Sequence, residues 1–284
     1  MLPEAGGTAG IFTGKRVSAW FILGLVILEV IFAMTVNLLF FEQGTFNGVN
    51  KLTGGWVNPT LCAGLLGLLV ITVLYLMTIV RIPPRDLGLI RKKLLAGCLW
   101  TLLFWIAVNA LSTGFALLAG SDLTMNNELA SYPNEILGQL LGQLFGNALL
   151  EEITFRGFLF VQIYLWLTRV KKPSSRIFRA MLISQTIFAL MHIPNRIYGG
   201  LSGMEFVYDF LQLVILGMLF ALIYVLTRNL IIVVGIHSLL NVNQAVWSSS
   251  YATAATFICI LLMVGILLLL RRKKLHKQKS VIHY

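Results

Sequence analysis

"NPTLCAGLLGLLVITVLYLMTIV" (residues 58–80) runs straight into "RIPPRDLGLIRKK" (81–93). From Leu61 to Val80 no residue carries a charge. A run of about 20 apolar residues is what a helix needs to cross the hydrocarbon core of a bilayer. Five basic residues against one acid then follow within thirteen positions, the pattern that stops a span on the cytoplasmic side. This stretch is therefore a membrane-crossing helix with its topological stop.

Similar blocks recur outward from it, at 18–41, 94–119, 136–169, 177–193, 204–226, 229–247 and 251–270. The whole chain is 58% hydrophobic and 12% charged, with mean hydropathy +0.85. Soluble domains carry about twice that charged fraction. The fold class is thus all-α: a polytopic membrane bundle of about eight transmembrane helices. Lys and Arg collect before the first span, in 81–93, in "RVKKPSSRIFR" (169–179), at Arg228 and in the tail "RRKKLHKQK". The alternate loops hold only Lys51 and Arg196, and "GSDLTMNNELASYPNE" (120–135) is acidic. With eight spans this asymmetry places both termini in the cytoplasm. Lys15 and Arg16 precede the first span without a small-residue cleavage site, so that span reads as an uncleaved signal-anchor.

The net charge of +11 needs no nucleic-acid partner, because the basic residues sit at span ends and are not interleaved with aromatics on a folded face. The tail can also attract anionic headgroups. Cys62, Cys98 and Cys259 lie one to a span, without the paired spacing of a zinc, redox or disulfide site, and read as small core residues.

Polar groups inside the spans stand out, since each charge there costs about 2.5–3.5 kcal/mol on insertion scales. The fourth span reads "NALLEEITFRGFLF" over 147–160. Gln139, Gln143, Asn147 and Glu151 recur every four residues, giving a polar stripe on one helix face. Glu152 and Arg156 are also four apart, the spacing at which acid and base meet. A buried pair that fastens helices and a catalytic cluster both fit these residues. Glu151 favours the second, because one Arg neutralises one carboxylate and leaves the other free to act as a base. "FALMHIPN" places Phe188 four residues before His192, and "GIHSLLNVNQ" places His237 four before Asn241. Glu29, Asp209 and Gln212 are further intramembrane polar residues that could contact a cavity at that cluster, though pairing with a neighbour or snorkelling to an interface is the more ordinary fate.

The three motifs Glu151-Glu152-x-x-x-Arg156, Phe188-x-x-x-His192 and His237-x-x-x-Asn241, in that order on late helices, resemble the CAAX protease and bacteriocin-processing (CPBP, or Abi) family. Its eukaryotic member is the type II CAAX prenyl endopeptidase. The resemblance covers about 136–247. It divides the chain into an N-terminal cytoplasmic segment (1–17), three helices without a motif (18–135), a catalytic core (136–247), a last helix (248–270) and a basic tail (271–284). It implies intramembrane endoproteolysis by a glutamate-activated water in a multi-pass protein of a bacterial cell membrane. Glu151 would be the base and His192 its partner, with His237 and Asn241 facing the oxyanion. Glu152 and Arg156 would support them, and Phe188 would pack behind. Substrates implied are membrane-associated peptides: prenylated tails, or bacteriocin or pheromone precursors.

The family is often labelled a metalloprotease, and two His with a Glu can bind zinc. The absence of His-Glu-x-x-His and the weakness of Asn as a ligand favour a site with no cofactor. A non-catalytic bacteriocin-immunity or binding protein, and a proton-coupled transporter, are the alternatives from other classes. A continuous helix over 136–169 would be about 50 Å long against a core of about 30 Å. The expectation is that it tilts, projects or breaks near Gly157, and the family likeness points to a cavity that opens to the cytoplasm.

Overall fold

The computed structural model describes residue 12, residues 14–242 and residues 245–282, with side chains through Lys273. The start of the N-terminal segment and the side chains of the far tail therefore lie outside the described residues. The described chain is helical, apart from connections and one antiparallel bridge between Met125 and Trp247. It is an all-α membrane bundle.

Among the described residues six helices are long and apolar enough to cross a membrane. Helix α1 (Ala19–Val36) continues to Glu42 as a π-turn, and a short α2 (Asn47–Leu52) follows. Helix α3 (Pro59–Gly67) continues to Ile79, opened by Asn58, whose side chain accepts from Leu61 N. Helix α4 (Leu94–Leu118) crosses next, and α5 (Asn127–Ser131) lies in the acidic loop. After the core segment 133–166 come α9 (Pro173–Tyr198), α10 (Gly203–Thr227), α11 (Leu230–Asn241) and α12 (Ala252–Ile282). The outer faces of α1, α4 and α12 expose Leu23, Ile27, Leu99, Leu103, Leu261 and Leu269. An apolar exterior of this kind is what lipid tails solvate.

Two of the eight expected spans are not single long apolar helices. The block 229–247 contains only α11, whose twelve residues reach about 18 Å. It can be short because it is an interior helix: Leu230 and nearly every residue from Ile232 to Leu239 are buried. The block 136–169 is broken, and the break is at Phe145–Gly146 instead of near Gly157. Helix α6 (Pro133–Leu144) ends there, and α7 (Asn147–Glu151) starts a new segment that widens into a π-helix over Glu152–Leu159 and ends as α8 (Phe160–Trp166). The reason is a backbone contact. A Cβ on Gly64 would strike Gly146, so α3 and the break meet with no side chain between them. Gly157 serves close packing too, against the Leu87 carbonyl, but within an unbroken helical segment.

The two ends of the bundle are stitched separately. At one end Lys93 Nζ donates to Arg228 O at 2.6 Å and Asn229 Nδ2 donates to Lys93 O at 3.0 Å. At that same end Gln162 bridges Lys15 O and Val17 N, and Arg176 Nε donates to Tyr164 O at 2.7 Å. At the opposite end Asn126 bonds the backbone at Ala245 and Val246.

Candidate active site

All eight residues Glu152–Leu159 are buried, so the segment after the break runs through the protein interior. Hydrocarbon or protein, its charges have no bulk water, and they must be satisfied by one another. Arg156 Nη1 donates to Glu152 Oε1 at 2.8 Å, both side chains being 0% exposed. The same Oε1 meets His237 Nδ1 at 2.7 Å. The guanidinium lies over Phe188 at 4.5 Å and Phe220 at 5.4 Å from the ring centroids. Its Nε and Nη2, and Glu152 Oε2, have no hydrogen-bond partner among the described residues. Cation–π contact offsets part of that deficit.

Glu151 points the other way. Its side chain is 18% exposed and lines a cavity of about 410 Å³ together with His192, His237 and Asn241. Asn147 Nδ2 donates to Glu151 Oε1 at 3.1 Å, and Gln143 Oε1 accepts from Asn241 Nδ2 at 3.1 Å. Gln143 thus joins α6 to the end of α11, while Asn147 bonds within its own segment. Gln139, one turn before Gln143 on α6, is exposed and does not line the cavity.

The two imidazoles are held differently. His192 Nδ1 lies 2.9 Å from Phe188 O, one turn back on α9. A carbonyl only accepts, so Nδ1 carries a proton and Nε2 of the neutral ring is left as an acceptor. His237 Nδ1 faces the Glu152 carboxylate, and its Nε2 lies 3.6 Å from Glu151 Oε2. His237 is thus the imidazole paired with Glu151, bracketed by both carboxylates. His192 makes no direct hydrogen bond or ion pair with Glu151; the two share the cavity across a gap. Phe188 stacks edge-on against His192 and Phe155, at 4.5 and 4.9 Å between centroids.

Residues 133–243 match a family model described as type II CAAX prenyl endopeptidase Rce1-like. Over this stretch the chain is similar to the CAAX protease family. The stretch contains every residue of the three motifs, while α1 to α4 lie outside it. No curated protein and no solved structure gives a significant match. Over these residues the chain is similar to the CAAX-type proteases, and its six long apolar helices fit a multi-pass membrane protein.

Outside that core, Glu29 of α1 also lines the cavity, with Oε1 buried and unpartnered among the described residues. Its carboxyl also faces the Thr154 side chain, and of the readings open to it from sequence it takes the cavity contact. Asp209 does pair, accepting from Arg196 Nε at 2.8 Å. Phe220, 5.4 Å from the His237 ring, belongs to the site with no signal in the sequence beyond its place in an apolar run.

No group of three His, Cys, Asp or Glu side chains among the described residues is placed to hold a metal ion. Glu152 Oε1 and His237 Nδ1 are already spent on each other.

Proposed function

We propose that this chain is a CAAX-type protease and hydrolyses membrane-associated peptides through a water activated by Glu151 and His192, without a metal. The observation that carries this reading is the convergence of Glu151, His192, His237 and Asn241 on one cavity. Peptide hydrolysis needs a proton acceptor for water, donors for the developing oxyanion and a proton for the leaving amine. Glu151 and His192 Nε2, separated by a gap instead of bonded, suit the two sides of one water molecule. Glu151 takes the proton as the water oxygen bonds the scissile carbon. The carbonyl oxygen, now negative, is met by Asn241 Nδ2, which has a second N–H beyond the one given to Gln143. His237 Nε2 is the other donor, and that role requires the imidazolium. Glu152, ionised and fully buried against Nδ1, stabilises that cation and fixes the ring. Collapse breaks the C–N bond, and the proton held by Glu151 passes to the amine.

The test is cleavage of a library of membrane-anchored peptides, read by mass spectrometry, with purified protein in lipid. Glu151→Gln and His192→Ala are expected to lose product formation, and a zinc chelator to leave the native protein active. Equal cleavage by all three proteins would overturn the site assignment, and loss of activity on chelation would overturn the metal-free reading.

A further inference from the structure

The two ends of the bundle differ in charge as well as in stitching. The end that carries 81–93, 169–179 and Arg228 also carries Lys15, Arg16 and Arg271–Lys273, with Asp86 its one acid among the described residues. The opposite end holds Lys51 and Arg196 against Glu42, Asp122, Glu128, Glu135, Glu205 and Asp209. Lys and Arg in short loops are retained in the cytoplasm. The first end is therefore cytoplasmic.

The cavity lies toward the other end. Glu151 is fifteen residues from the end of α8 at Trp166, and His192 nineteen from the start of α9 at Pro173. At about 1.5 Å per residue both are about 20 Å or more from the basic end, in a core about 30 Å thick. The outer lining of the cavity is Asn37 and Phe41 at the end of α1, Thr60 at the start of α3 and Asn195 late in α9. Asn37, Phe41 and Asn195 continue into a shallow opening completed by Glu42 and Tyr198. Toward the basic end the bundle is plugged by Phe158, Phe160, Leu87, Tyr164, Tyr224 and Phe12, each 3% exposed or less. Phe12 packs on Phe160, Tyr164 and Tyr224 with centroids 5.2 to 5.9 Å apart.

We infer that the site is served from the extracytoplasmic face, so that its substrate is a peptide segment exposed at, or anchored in, the outer leaflet. This departs from the cytoplasmic opening that the family likeness suggests. The nature of the substrate rests on the peptidase reading above; the side rests on charge and packing alone.

Cysteine accessibility separates the two. In a variant with Cys62, Cys98 and Cys259 replaced by Ala, single cysteines are introduced as Tyr198→Cys at the opening and Lys171→Cys at the basic end. In intact cells a membrane-impermeant maleimide is expected to label Tyr198→Cys fully, and Lys171→Cys only after permeabilisation. The reverse pattern would overturn the inference. The peptide library is then presented to right-side-out and to inverted vesicles. Cleavage confined to right-side-out vesicles supports the inference, and cleavage confined to inverted ones overturns it. If neither preparation cleaves, the peptidase reading fails while the labelling still decides the side.

Discussion

The buried Glu152–Arg156 pair invites a double-mutant cycle, because its geometry sets the sign of each arm. Glu152 Oε1 is shared by Arg156 at 2.8 Å and His237 at 2.7 Å, but Oε2, Nε and Nη2 are buried without partners. Removing one member of such a pair strands the other charge, which costs about 3–5 kcal/mol. Removing both takes away the unmet atoms as well, and such replacements are neutral or stabilising by about 1–4 kcal/mol. Glu152→Leu alone and Arg156→Met alone are therefore each expected to lose about 3–5 kcal/mol, and the double variant to regain nearly all of it. Reversible SDS unfolding in mixed micelles, followed by tryptophan fluorescence, measures all four corners. The double variant, though stable, has no carboxylate on His237 Nδ1, and cleavage is expected to fall by at least about 10²-fold. Single variants that lose under about 1 kcal/mol, or a double variant whose loss equals the sum of the singles, would refute the claim that the pair serves the imidazole more than the fold.

Three further outcomes follow from particular contacts. Gly64→Ala drives a Cβ into the backbone of Gly146 and Asn147, which must retreat by about 1 Å to reach an ordinary contact. Since a shift near 1 Å can cost about 10²-fold in rate, activity should fall far more than the unfolding free energy, which overpacking lowers by about 1–3 kcal/mol. Glu29→Leu removes a buried unpartnered oxygen and should raise stability by about 1–3 kcal/mol in the same SDS titration. Asn241→Ala deletes an oxyanion donor and should lower kcat about 10²–10³-fold; because Asn241 is exposed, its unfolding curve should hardly move.

Apolar runs and loop charges make the bundle legible from sequence, because bilayer thickness and hydration impose them directly. The three motifs were legible for a similar reason: Glu151, Glu152, Arg156, His192 and His237 are expensive where they stand. Gly146 was not legible as the break, since Gly157 looks the same on paper and only the approach of Gly64 distinguishes them. The interior position of α11 was hidden as well, because an apolar helix reads alike whether lipid or protein surrounds it. Glu29 sits in an otherwise ordinary span, and only the packing of α1 beside α9 turns it toward the cavity.

The segment Asn147–Trp166 also constrains how the protein is made. It carries Glu151, Glu152 and Arg156, together worth about 8–10 kcal/mol against entry into lipid on insertion scales. Only Glu152 and Arg156 neutralise each other locally; the imidazole of His237 comes from a helix synthesised some eighty residues later. A nascent chain therefore cannot seat this helix stably at the translocon one span at a time. Stable seating of this helix is expected to wait for the helix that brings His237, which couples its insertion to assembly of the reactive centre.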